Sequence, residues 1–239
     1  TKLESMITFG REDIEFGLAQ FFFKIEAAEI FSRVELQHKL APQATMNVGF
    51  DFFGGYFDVN LRLPSPPQPG QPPNQPFSTR TVEVDAASAF SAYPAGYIEF
   101  ELTPTRRLRI VPGLRFDYFD IADTFDFAPR INARYMLRPK FPRTVIKGGV
   151  GVYKQAPQFQ QARPPLGTEG LKSNRSIHTG LGVEQQITRQ VDLSAEAFYK
   201  HNSDQVIGGA GPSGTTVQYT TDASGYAVGG EFLLKYKPD

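Results

Sequence analysis

The sequence predicts an all-β protein: an antiparallel sheet of the transmembrane-barrel kind, with roughly ten strands, short turns at one end and long loops at the other. Two observations carry this. Apolar and polar residues alternate in steps of two in at least five segments, the mark of a sheet with one apolar and one wet face. These segments are joined in turn by tight turns and by long polar loops, the rhythm of outer-membrane barrels. A soluble antiparallel sheet shares the alternation and stays open as a reading, its apolar face then meeting a second sheet.

The clearest segment runs from Leu108 to Tyr118. Leu108, Ile110, Pro112, Leu114, Phe116 and Tyr118 face one way, and Arg107, Arg109, Gly113, Arg115 and Asp117 the other. Val34, Leu36 and Leu40 oppose Arg33, Glu35, Gln37 and Lys39. Ile131, Ala133, Tyr135 and Leu137 oppose Arg130, Asn132 and Arg134. Val191, Leu193, Ala195, Ala197 and Tyr199 oppose Asp192, Ser194, Glu196 and Lys200, with Phe198 an exception on the wet face. Tyr226, Val228, Phe232, Leu234 and Tyr236 oppose Gly229, Glu231 and Lys235. Strands are expected near 2–10, 26–40, 44–60, 88–103, 106–120, 126–138, 143–154, 173–187, 190–204 and 223–237, with 11–25 the least readable stretch.

Tight turns are expected at Ala41-Pro42-Gln43, Thr103-Pro104-Thr105, Pro139-Lys140-Phe141-Pro142 and Thr188-Arg189-Gln190, because proline has no N–H to donate to a ladder. In a barrel of this kind they would be periplasmic and the long loops external. The expected long loops are Pro64 to Pro76, which holds seven of the 19 prolines, about Gln155 to Gly170, about Ser203 to Asp222, and a shorter one near Ile121 to Phe125. Tyrosines suit a bilayer interface through their apolar ring and polar tip. Phe116, Tyr118, Tyr199 and Tyr226 fall at the loop end, and Tyr135 and Tyr236 at the turn end.

Composition narrows the function. The 239 residues carry 25 basic and 25 acidic side chains, so charge gives no support for a nucleic-acid partner. Cysteine is absent, which excludes a disulfide scaffold and thiolate chemistry. Mean hydropathy is −0.32, and no stretch approaches the roughly 18 apolar residues of a membrane helix. Thr1 to Met6 reads as the middle of a strand and Lys237-Pro238-Asp239 as a turn, so the chain is expected to be a piece of something longer.

No catalytic constellation emerges, and the expectation is that the protein is not an enzyme. His38, His178 and His201 lie on separate strands without metal-ligand spacing. Gly209 to Gly214 matches GxGxxG but lacks the strand–turn–helix setting of a nucleotide loop. Glu99 and Glu101 share a strand face, as a glycosidase pair might, yet fit better as carboxylates of a wet surface. Asp117, Asp120, Asp123 and Asp126 recur every third residue, lack the ligand spacing of a calcium loop, and are expected at a solvated loop mouth. The candidate binding residues are a polar-aromatic cluster at one loop: Tyr153, Gln155, Gln158, Phe159, Gln160, Gln161 and Arg163. Neither cofactor nor metal is expected.

Several strings resemble the β-barrel of TonB-dependent outer-membrane receptors. LKSNRSIHTGLGVE (Leu171 to Glu184) is similar to the family's run into a strand ending Gly-x-Glu, with Ser173-Asn174 standing where the family has Pro-Glu. AEAFYK (Ala195 to Lys200), GGEFLLKYKP (Gly229 to Pro238), PGLRFDYF (Pro112 to Phe119), APRINARYML (Ala128 to Leu137) and GVGVYKQAP (Gly149 to Pro157) resemble its other strands in order. The resemblance implies that residues 1–239 are part of a barrel of about 22 strands whose plug and remaining strands lie elsewhere. It also implies partners: outer-membrane lipid, a nutrient complex such as a siderophore at the external loops, and TonB through the plug. A passive porin and an adhesive barrel share the rhythm and remain as alternatives.

Overall fold

A computed structural model describes residues 1–18, 21–64, 81–162, 167–210 and 217–238. They form one antiparallel sheet of ten strands, each paired with its neighbours in sequence. The strands are β1 (Lys2–Leu18), β2 (Phe21–Ala41), β3 (Ala44–Pro64), β4 (Thr81–Thr105), β5 (Leu108–Phe119), β6 (Thr124–Arg138), β7 (Thr144–Gln155), β8 (Asn174–Gln186), β9 (Val191–Ala210) and β10 (Val217–Tyr236). One helical turn, α1 (Phe159–Ala162), lies between β7 and β8. Among the described residues no helix is long and apolar enough to cross a membrane, which says nothing of strands.

The register shows why the period-two pattern forms. Leu108, Tyr135, Ile146, Val183, Ala195 and Phe232 are successive cross-strand partners from β5 to β10, making one apolar row. One residue along, Arg109, Arg134, Lys147, Gly182, Glu196 and Glu231 make a charged row on the other face. A slip of one residue in any strand would exchange the two faces, so the pattern fixes the pairing. Phe232 is 81% exposed and Leu181 65%. Burying a side chain of that size stabilises by roughly 1.5–3 kcal/mol, so a whole face of them needs an apolar surrounding.

Three expectations are corrected, and the least readable stretch takes a definite form. Residues 11–18 and 21–25 are strand, in a ladder that runs from Lys2 opposite Gln37 to Leu18 opposite Phe21. The pattern fails there because like residues fall on both faces, as in Arg11-Glu12-Asp13 and Phe21-Phe22-Phe23. The described residues of the expected loop from Ser203 to Asp222 are strand, 203–210 and 217–222, with the ladder irregular between Thr220 and Gly225. The turn at Thr103-Pro104-Thr105 moves to Arg106-Arg107, and Pro104 sits inside β4, where the β4–β5 ladder shifts between Leu102 and Thr105. Its missing N–H falls at that irregularity. The loop near Ile121 to Phe125 is a turn over Asp120–Asp123 closed by Asp123 at φ 48°, a left-handed conformation that Asp tolerates. The Pro64–Pro76 loop beyond Pro64 lies outside the described residues, as do residues 211–214 of the glycine motif. Gly209 and Ala210 end β9.

The two rows separate in a simple experiment. Leu114→Arg, on the apolar face, is expected to destabilise the full-length protein in lipid by about 2–4 kcal/mol. Arg109→Leu, on the charged face, should change it far less. Denaturant unfolding in vesicles measures both, and equal losses would mean that both faces are packed in protein.

Candidate functional site

The charged face is cross-linked by ion pairs between strands. Asp51 is only 5% exposed and accepts from Arg33 at 2.6 and 3.1 Å and from Arg115 at 2.8 Å, tying β2, β3 and β5 together. Arg115 also bonds Asp117. Arg109 pairs with Glu101 at 2.8 Å, Arg130 with Glu99 at 3.2 Å, and Lys147 with Glu196 at 2.7 Å. Glu99 and Glu101 are therefore each engaged by an arginine. Glycines on this face make room for rings: a Cβ on Gly49 would meet the Tyr97 ring at 2.2–2.4 Å, and one on Gly229 would meet Phe198 at 2.5 Å. Tyr97, lying over Gly49, donates its hydroxyl to Glu35.

At the loop end the same face turns aromatic. Tyr93 stacks on Phe53, with centroids 5.8 Å apart, and tilts against Phe119 at 5.7 Å. It packs against Ile121, Ala122 and Ala162, which are 9%, 8% and 2% exposed, so α1 is folded down onto the β5–β6 turn. α1 is held by its own ends. The Gln158 N–H donates to Oε1 of Gln161 at 2.9 Å, and the Thr168 N–H donates to the Gln161 carbonyl at 2.8 Å. The first bond is the returning half of a capping box, so the Gln161 amide is spent on local structure.

The aspartates near this turn each do something different. The Ala92 N–H donates to Asp120 at 2.9 Å, the Tyr118 hydroxyl to Asp123 at 3.0 Å, and Lys154 pairs with Asp126 at 3.3 Å. Asp126 is 5% exposed, which corrects the expectation of a solvated mouth: the acids brace the turn. Among the described residues no group of His, Asp or Glu is arranged to hold a metal ion.

The expected binding cluster is divided by the structure. Tyr153 and Gln155 are not loop residues; they lie on β7, opposite Ser176 and Asn174 of β8. Gln158 and Gln161 belong to the α1 turn at the rim. Phe159 and Gln160 are in α1 with side chains outside the described set, and Arg163 lies outside it altogether. Sequence reasoning missed the neighbours of Tyr153. The His178 ring lies 4.3 Å from it, tilted 30°, above a concavity of about 600 Å³ that also borders Lys147, Gly149, Gly180, Phe198 and Lys200. The signal was Phe198 on a wet face, an exception explained by Gly229 opposite it. The other histidines stand apart: His38 bonds Thr1 at 2.6 Å, and His201 pairs with Tyr226 on the apolar face.

A meander of long strands, one apolar and one charged face, and loops gathered at one end define a wall of a membrane barrel. Residues 11–237 match the description "TonB dependent receptor-like, beta-barrel". The chain belongs to this family of outer-membrane proteins. The apolar face is thus the lipid side and the charged face the lumen. The siderophore receptor PirA from Pseudomonas aeruginosa superposes with a TM-score of 0.70 at 16% identity, covering 96% of this chain and 40% of that one. The ferric enterobactin receptor PfeA gives 0.67 at 17%, over 88% and 33%. The copper transporter OprC gives 0.61 at 13%, over 92% and 37%. At these identities the likeness concerns the fold, and the chain spans well under half the length of each. No curated protein sequence matches it.

The pinning of α1 is open to test. Ala162→Asp would put a charge where the side chain is 2% exposed, and α1 is expected to detach from Ile121 and Tyr93. Limited proteolysis of the full-length protein should then cut several-fold faster between residues 155 and 173. An unchanged cleavage rate would show that α1 is held by something else.

Proposed function

We propose that this chain is part of an active-transport receptor that binds a scarce nutrient complex at the external mouth and imports it with energy passed through TonB. The reading is of binding and transport without bond making. It rests on one observation above all: at the loop end the lumenal face changes from an ion-paired lattice to rings and amides, with α1 packed by Tyr93, whose ring contacts Phe53 and Phe119. Aromatic and amide groups suit a polar complex with apolar edges, and binding residues commonly sit on loops held by a rigid scaffold. Membership of the family and the likeness to siderophore and copper receptors support import as the purpose. On this reading the tight turns at residues 42–43, 106–107, 139–143 and 187–190 are periplasmic. The loop end is extracellular, and a plug elsewhere in the whole protein transmits the energy.

The residues proposed to touch cargo are Tyr153, Gln155, Gln158, Phe159, Gln160, Gln161 and Arg163. Gln158 and Gln161 contribute mainly by shaping the α1 turn. Replacing Gln158, Phe159 and Arg163 together with Ala in the full-length protein is expected to weaken cargo binding at least tenfold while leaving the barrel folded. Uptake of a panel of radioiron-labelled ferric siderophores provides the companion measurement. Transport should stop when a protonophore is added or when TonB is deleted. Equal uptake without TonB would assign the chain to a passive pore instead, and unchanged affinity in the triple variant would move the cargo site off this loop.

A further inference from the structure

We infer that the tight-turn end of this wall is a docking surface for anionic glycerophospholipid, with phosphatidylglycerol of the inner leaflet as its occupant. The inference rests on the orientation proposed above, with the tight turns periplasmic, and adds the chemistry of the lipid they meet. Three observations carry it.

The first is a one-sided charge. Residues 38–46, 103–108, 138–143, 187–191 and 235–238 hold the four turns and the end of β10. They contain nine Lys and Arg and not one Asp or Glu. At the opposite end the β5–β6 turn reverses the sign, with Asp120 and Asp123 and no base between Phe119 and Thr124. The chain as a whole is neutral, so the basic rim is a matter of placement and not of composition.

The second is that these cations are unmatched. On the lumenal wall Arg109, Arg134 and Lys147 each pair with a glutamate. At the turn end Lys237 pairs with Asp192 at 2.6 Å. Arg106, Arg107, Arg138, Lys140, Arg143 and Arg189 are exposed and form no ion pair among the described residues. Arg106 adjoins Arg107, and one turn holds Arg138, Lys140 and Arg143, so like charges repel unless an external anion sits among them.

The third is a set of apolar side chains in and beside the same turns. Leu40, Leu137, Phe141, Ile187 and Tyr236 are 48–63% exposed, and Phe141 follows Lys140 directly. An apolar group beside a cation is the composition of a membrane interface. The ring or aliphatic chain enters the acyl boundary while the long basic side chain keeps its head among the phosphates. An acidic soluble protein would answer the cations but not the apolar groups. Extent decides further. With neighbouring strands about 4.8 Å apart, the turns of a ten-stranded sheet lie along an arc of roughly 40 Å. That is too long for one small ligand, and it runs continuously into the lipid face through Leu137 and Tyr236.

The test uses the full-length protein in phosphatidylcholine bilayers holding a trace of spin-labelled phosphatidylglycerol or spin-labelled phosphatidylcholine. The motionally restricted fraction of each label gives their relative association. Wild type should prefer phosphatidylglycerol at least twofold at low salt, with the preference shrinking as salt screens the rim. Replacing Arg106, Lys140 and Arg189 together with Gln should halve that preference or more. The restricted fraction of the phosphatidylcholine label should stay the same, which reports an intact perimeter. Arg109→Gln, on the lumenal wall, should leave the preference unchanged. Exchanging chloride for inorganic phosphate at equal ionic strength should also leave it unchanged; its collapse in phosphate would mean a discrete anion site and overturn the lipid surface. No preference in wild type, or an undiminished one in the triple variant, would overturn it as well. Lys140→Cys in a cysteine-free background should react with an impermeant maleimide only after the outer membrane is opened. Reaction in intact cells would place the basic rim outside and overturn the inner-leaflet assignment. None of these outcomes touches the transport reading, which falls only with TonB-independent uptake.

Discussion

In hydrocarbon an unpaired N–H or C=O costs several kcal/mol, because no water is there to bond it. Everything else in this chain follows from meeting that constraint with strands. Each strand must be bonded on both sides, and the cheapest way to supply a neighbour is to turn back at once. Ten strands in sequence order, joined at one end by turns as short as Pro42-Gln43 and Arg106-Arg107, are the outcome. Side chains then have no choice of direction. Odd and even positions go to opposite faces, and lipid on one side with water on the other writes the period-two pattern into the sequence.

The wet face meets a second demand, since a wall of charges must keep its register without a packed core. Ion pairs and ring-over-glycine contacts do this together. Asp51 between Arg33 and Arg115 spans three strands, and Tyr97 from a fourth, β4, lies over Gly49 and reaches Glu35 of β2. Such pairs contribute little when exposed, but a carboxylate shielded to 5% and held by two guanidinium groups is a specific register mark. Against that lattice, the place where ion pairing gives way is the informative one: the ring cluster around Tyr93.

The fold was legible wherever the two solvents differ. From Leu108 to Tyr118 and from Tyr226 to Tyr236 the faces could be read residue by residue, and the register confirms them. It was illegible where like residues fall on both faces: Arg11-Glu12-Asp13 and Phe21-Phe22-Phe23 break the period of two, and Ser203 to Ala210 is mainly polar residues and glycine, yet the described residues of both stretches are strand. Pro104 misled by a few residues because a ladder irregularity absorbs a missing donor. The site was less legible, for a different reason. Tyr153 and Gln155 were expected at a loop and lie on a strand. His178 and Lys200 are 22 residues apart in sequence and become neighbours only through the β8–β9 register. A single sequence encodes the faces of a sheet locally, whereas a site built across strands exists only once the pairing is known.

The central claim is that this chain is one wall of a barrel with lipid on one side and a wet lumen on the other. Spin labels placed one at a time from residue 108 to 118 in the full-length protein, reconstituted in vesicles, test it most directly. Val111 decides between register and mere hydrophobicity, being an apolar residue on the lumenal face beside Arg109 and Gly113. Oxygen accessibility should peak at Ile110, Leu114 and Phe116, while a water-soluble nickel reagent should find Arg109, Val111 and Arg115. If Val111 tracks with Ile110, or if the accessibility shows no period of two, the wall described here is not the one the membrane contains.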